Sequence, residues 1–108
     1  MRHLQEKRLN RLITFEGIEG CGKTTQIRMA AEYLVKEGVT VITSHEPGGT
    51  PLGEKIREIL LNRGPSSLSA HAELLLFAAA RAQHVNDIIS PALQQGIWVL
   101  CDRFIDAT

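Results

Sequence analysis

The sequence is short of several things, and each shortage removes a class of function. Its 108 residues include two cysteines, Cys21 and Cys101. That is too few for the disulfide framework of a small secreted scaffold, and they read as free thiols in a reducing, cytoplasmic compartment. Aromatic residues make up 5% of the chain and the net charge is zero, which leaves no electrostatic case for a nucleic acid polymer or an acidic membrane as partner. The longest apolar run, around residues 74–80, is far shorter than the roughly 20 residues a helix needs to cross a bilayer. The basic opening, MRHLQEKRLNR, contains Glu6 and no apolar segment. It does not resemble a secretory signal, and residues 1–11 read as a solvated tail. There is no internal repeat and no low-complexity stretch. What remains, 44% hydrophobic and 22% charged, is ordinary globular composition in a length that allows one domain at most.

Hydrophobic period organises residues 12–108. Residues 12–15 read as a short buried strand. A helix from Thr24 to Glu37 places Ile27, Ala30, Ala31 and Leu34 on one face and stops at Gly38. Residues 39–44 (VTVITS) read as a second strand, and 46–51 (EPGGTP) as a turn-rich loop. Thr50 and Pro51 form the N-cap and first position of a helix running to Leu61. A loop over 62–69 ends in a second cap, Ser69. It leads into a long helix over 70–89, with Pro91 expected to kink or break it. Residues 97–101 (IWVLC) read as a third strand ending at Asp102. Strands alternating with helices predict an α/β fold, a parallel sheet covered on both faces with ligands at the strand C-termini. Three strands are visible, so the sheet is expected to be incomplete and to have exposed edges.

The chemistry concentrates at residues 17–24, Gly-Ile-Glu-Gly-Cys-Gly-Lys-Thr, which match the phosphate-loop pattern G-x-x-x-x-G-K-[ST]. Between a strand and a helix, such a loop turns successive backbone N–H groups inward onto two phosphates. The cradle comprises Gly17, Ile18, Glu19, Gly20, Cys21, Gly22, Lys23, Thr24 and Thr25. Lys23 reaches the terminal phosphates, and Thr24 offers a hydroxyl to Mg²⁺. Asp102, at the end of an apolar strand, is the natural second metal partner, although an Asp there could equally cap a turn. ATP and Mg²⁺ are the implied cofactors.

Three further blocks follow in order, HEPGGTPLGEKIREILL (45–61), ELLLFAAARAQHV (73–85) and VLCDRFIDAT (99–108). With FEGIEGCGKTTQ (15–26) they resemble bacterial thymidylate kinase over residues 12–108. The resemblance implies a P-loop nucleoside-monophosphate-kinase fold and transfer of the γ-phosphoryl of ATP to dTMP. It also implies a homodimer in the full-length protein. Phe77 and Arg81 lie four apart and share a helix face. Read alone, Phe77 is a core residue. The resemblance makes it a platform for the thymine ring, with Arg81 on the base edge. Arg57 and Arg103 match arginines that grip the acceptor phosphate, and Arg103 joins Lys23 and Glu19 as a catalytic candidate. Glu19 matches an acidic position near the acceptor sugar, and Glu46 and Thr108 match further acceptor positions.

Two departures stand out. Position 45 is histidine where the family usually has arginine, and imidazole titrates near neutral pH, so a weaker, pH-dependent grip is expected if that position contributes. The phosphate loop carries no arginine. The resemblance therefore implies a lid arginine beyond Thr108, together with the adenine pocket, two strands and a further acceptor helix. Because an arginine finger contributes about 10³–10⁵ in rate, the isolated 108-residue chain is expected to be a poor kinase. Two other readings fit the same residues: a non-catalytic phosphate-binding module, and a P-loop kinase for another nucleotide.

Overall fold

The computed structural model describes residues 11–17, 22–62 and 68–104. Strand β1 (Leu12–Gly17) leads to helix α1 (Lys23–Lys36), strand β2 (Val41–Glu46), helix α2 (Pro51–Leu61) and helix α3 (Ala70–His84). A π-helical turn (Val85–Ile89), helix α4 (Ser90–Gln94) and strand β3 (Trp98–Phe104) complete the order. The three strands are parallel in the order β1-β3-β2, so the last strand lies between the other two.

Local chemistry sets most boundaries. Thr50 accepts a hydrogen bond from Gly53 N–H at 2.9 Å, with Pro51 in the first turn. Ser69 accepts one from Ala72 N–H at 3.1 Å, so both expected caps are present. Helix α1 ends in a Schellman motif: Gly38 has φ +85°, its N–H reaches Val35 O, and Val39 N–H reaches Leu34 O, both at 3.0 Å. That motif uses Val39, which is why β2 begins at Val41 rather than at 39. Pairing with β3 then carries β2 through Glu46, placing that residue at a strand end instead of in the following loop. Strands β1 and β3 likewise run past their expected ends, to Gly17 and Phe104, because they pair with each other along their whole length.

Helix α3 does not break at Pro91. Proline has no N–H to donate and its ring displaces the carbonyl four residues earlier. The chain absorbs this with one wide turn, in which Ser90 N–H reaches back to Val85 O, and then continues as α4.

The core has two parts. Ile56, Leu60 and Ala80 join α2 to α3, with Leu68, Leu76 and Phe77 packed around them. Ile89, Ala92 and Val99 join the end of the helical run to β3, with Ile42, Leu93 and Ile97. Val99, Leu100 and Cys101 are 1% exposed or less, as a central strand covered on both faces should be. The edge strand β1 is more open, with Leu12 and Ile13 exposed. No helix among the described residues is long and apolar enough to cross a membrane.

Candidate active site

Register converts this topology into a site. Side chains alternate faces along a strand, and residues level with each other in neighbouring parallel strands share a face. Phe15, Asp102 and His45 form one level, and Glu16, Arg103 and Glu46 the next. The first level faces α1 and the second faces α3. The C-terminal edge of three strands therefore presents two chemically different sides, joined through the consecutive residues Asp102 and Arg103.

On the α1 side the central group is Lys23. Its side chain is 5% exposed, an uncommon burial for lysine. Three oxygens compensate: its ammonium donates to Gly17 O and Arg103 O, each at 3.0 Å, and lies 2.7 Å from Asp102 Oδ1. Asp102 Oδ1 is buried, and the lysine contact is a close ion pair without hydrogen-bond alignment. Helix α1 starts at Gly22, φ +87°, with no side chain capping its first turn. Its leading N–H groups therefore have no side-chain partner in the first turn, and they mark the positive end of the helix dipole. Thr24, Ile27, Thr43, Ser44, His45 and Asp102 line a cleft of about 220 Å³ beside it. The hydroxyl of Thr24 and the carboxylate of Asp102 share that cleft, a hard-oxygen pair of the kind Mg²⁺ takes while keeping several waters.

On the α3 side the hub is Glu46, buried on the last position of β2. Its Oε1 lies 2.6 Å from Arg81 Nε and 3.5 Å from Arg103 Nε, and its Oε2 lies 2.7 Å from His84 Nδ1. Burial acts to raise the Glu46 carboxyl, but hydrogen bonds from His84 and Arg81, together with the charge of Arg81, outweigh it and hold the group below its ordinary value. Arg103 also donates from Nη1 to Glu16 Oε2 at 2.9 Å. Its Nε is buried, and the 3.5 Å contact with Glu46 Oε1 is an ion pair without hydrogen-bond alignment. Arg57, on α2, donates to Pro47 O at 3.3 Å, beside the loop that follows Glu46.

That loop is closed from the other end by His45. His45 Nε2 lies 2.6 Å from Glu54 Oε2, which also accepts the Gly49 N–H at 2.9 Å. The Gly49 bond first and the His45 bond second hold the Glu54 carboxyl below its ordinary value. In this structure His45 fastens the loop to the start of α2.

The structure therefore brings Glu46, Arg81 and Arg103 into direct contact, joins Lys23 and Asp102 to them through the Arg103 backbone, and sets Thr24 on the same cleft as Asp102. Thr25 is exposed on the first turn of α1. Phe77 is half-buried and packs against the Ile56, Leu60 and Ala80 core while sitting one turn from Arg81. Ile18, Glu19, Gly20, Cys21 and Thr108 lie outside the described residues, as does the tail at 1–10. Sequence reasoning overlooked Glu16, Ser44, Glu54 and His84. For His84 a signal existed: Phe77, Arg81 and His84 are spaced i, i+4, i+7, one face of one helix.

Glu46, His84 and Cys101 also bring a carboxylate, an imidazole and a thiol within 4.8 Å of one another. They make a poor metal site, because both imidazole nitrogens already have protein partners, Glu46 and the Ser44 hydroxyl at 2.6 Å. Burial, and then the nearby Glu46 charge, push the Cys101 thiol up to about 12, far from the thiolate a metal requires.

Comparison with known proteins places this geometry. A family model described as thymidylate kinase matches residues 15–108. The thymidylate kinase of Syntrophus aciditrophicus is 66% identical over 96 residues, covering 89% of this chain and 44% of that protein. That of Geobacter sulfurreducens is 59% identical with similar coverage, 89% and 45%. The crystal structure of thymidylate kinase from Ehrlichia chaffeensis superposes with a TM-score of 0.76 at 48% identity, over 87% of this chain and 54% of that one. The chain thus spans rather less than half the length of these sequence relatives. A family match over most of the chain, with a solved relative that superposes over most of it, leaves one assignment: the chain belongs to the thymidylate kinase family.

Proposed function

We propose that the protein transfers the γ-phosphoryl group of ATP to dTMP in the presence of Mg²⁺, giving dTDP and ADP. The observation that carries this reading is the joint at Arg103. Its backbone carbonyl holds the phosphate-loop lysine, while its side chain reaches across to the Glu46 and Arg81 cluster. This supports a donor cradle and an acceptor pocket meeting at one strand end, as in-line transfer between two polyanions requires.

The residues divide the work. Gly22 and the first turn of α1 receive donor phosphates through backbone N–H groups, and Lys23, released from Asp102, follows the terminal phosphates. Thr24 and Asp102 would hold Mg²⁺, which would supply positive charge to neutralise the phosphates. Arg103 and Arg57 bind the acceptor phosphate. Arg81 meets the base edge, and the half-buried ring of Phe77 presents a face to it. No protein nucleophile is needed, since the acceptor phosphate is ionised near neutral pH. Positioning and charge neutralisation do the catalysis.

An acceptor panel tests the reading. The native gene product carrying this segment is assayed for ADP release with dTMP, dUMP, dCMP and dGMP. The highest kcat/KM is expected for dTMP. A clear preference for a different monophosphate, or ATP binding with transfer to none of them, would sink the proposal.

A further inference from the structure

We infer that His84 is a positioning residue for the acceptor site, setting the directions of Arg81 and Arg103 through Glu46. The inference rests on the kinase reading above and adds to it a group that touches neither substrate.

His84 is fully buried, at 0% exposure. A buried imidazole must place both nitrogens. Here Nδ1 is 2.7 Å from Glu46 Oε2, and Nε2 is 2.6 Å from Ser44 Oγ. Ser44 and Glu46 are two apart on β2, so both side chains leave the same face of the strand and meet one ring. A ring held at both nitrogens has a single orientation. A carboxylate accepts only, so the proton on Nδ1 is the one shared with Glu46.

The consequence lies on the other oxygen of Glu46. A carboxylate is planar, so fixing Oε2 also fixes the line along which Oε1 points. Oε1 is the oxygen that faces Arg81 Nε at 2.6 Å and Arg103 Nε at 3.5 Å. Arg81 is half exposed and has many rotamers of its own, so its direction depends on this anchor. Arg81 and His84 also sit three apart on α3, and one helix face supplies both the arm and its brace.

The loop after Glu46 closes on the same ring. A Cβ at Gly49, where φ is +82°, would stand 2.9 Å from both Ser44 Oγ and His84 Cδ2. The backbone of the loop therefore approaches His84 as closely as a residue without a side chain permits. Loop shape, carboxylate direction and arginine direction share one support. An apolar side chain of similar volume would fill the space but leave Glu46 Oε2 free to turn.

Two variants separate positioning from packing. In His84→Asn the amide nitrogen falls near the place of Nδ1 and can still donate to Glu46. In His84→Gln it falls near Nε2 and can serve only Ser44. In the native gene product, His84→Gln is expected to raise KM for dTMP by about tenfold, the loss of one charge-assisted hydrogen bond, with KM for ATP unchanged. His84→Asn is expected to recover most of that loss. Equal effects of both variants on dTMP and ATP, tracking their thermal stability, would show a packing role and overturn the inference. If either variant fails to fold, ¹⁵N NMR of the wild-type imidazole decides. A proton on Nδ1 is expected, and a neutral ring protonated on Nε2 overturns it. A wild-type protein that transfers nothing to dTMP defeats the kinase reading, and this inference with it. An active wild type whose two variants share one KM for dTMP defeats the inference alone.

Discussion

Replacing Glu46 with glutamine keeps the side-chain shape and removes the charge on which three neighbours converge. The size of the effect follows contact by contact. The His84 contact is 2.7 Å and the ring is fully buried, so it counts as an unscreened charge-assisted hydrogen bond of about 1.5–3 kcal/mol. Arg81 is closer, at 2.6 Å, but half exposed. Solvent screening reduces its share to about 0.5–1 kcal/mol. Arg103, at 3.5 Å, adds about 0.3 kcal/mol. A loss of about 2–4 kcal/mol is expected near neutral pH. The effect also has a pH signature. The folded state holds the Glu46 carboxyl below its ordinary value of 4.5. Its charge therefore contributes fully above that value and is lost as pH falls through the folded one. Urea unfolding of wild type and Glu46→Gln, followed by circular dichroism near pH 7 and again near pH 4, reads both effects. The gap should be full at the higher pH and narrower at the lower. A gap under about 0.5 kcal/mol at neutral pH, the range of an ordinary surface substitution, would refute the account of the hub. So would a gap that widens on acidification.

Three other outcomes follow from the same geometry. Lys23→Ala removes the cation shared by Gly17, Arg103 and Asp102, and kcat for dTMP-dependent ADP release should fall by about 10²–10³; a smaller than fivefold change would place the lysine outside the chemistry. Gly49→Ala puts a Cβ where φ is +82° and 2.9 Å from two side-chain atoms. It should cost about 1–3 kcal/mol in thermal unfolding, and an unchanged Tm would contradict the close approach of the loop to His84. Cys101, with its thiol raised from 9.0 to about 12, should alkylate about 10³ more slowly than an ordinary thiol while the protein is folded. Peptide mass spectrometry after timed iodoacetamide exposure checks this, and fast native labelling would overturn the stated burial.

What the sequence made legible was what short-range chemistry decides. Thr50 with Pro51, Ser69, and Gly38 each announced a helix end that the structure contains, because capping needs only neighbours within a few residues. The glycine-rich run likewise announced where the first strand ends, at Gly17, and where the first helix begins, at Lys23. Strand ends were less legible, since β2 and β3 extend as far as their pairing with one another allows, and pairing is not local. The site was divided in the same way. Lys23, Asp102, Glu46, Arg81 and Arg103 could be picked out through motif and resemblance. Their mutual contacts could not, because the fold makes neighbours of residues 35 to 80 positions apart. Ser44 and His84, 40 apart, looked like strand and helix filler until the fold placed them on one another. The histidine at position 45 read as a weakened phosphate grip if that position contributes, and its carboxylate partner, Glu54, was not legible at all.

The central claim is that the loop around Lys23 and the cluster around Glu46 act on the two ends of one phosphoryl transfer. Its most direct test is to give the native gene product γ-¹⁸O-labelled ATP, Mg²⁺ and dTMP, and to locate the label in the products by mass spectrometry. The account predicts the label in the terminal phosphate of dTDP, with ADP formed in equal amount. Label recovered only in inorganic phosphate, or in no product at all, would contradict it.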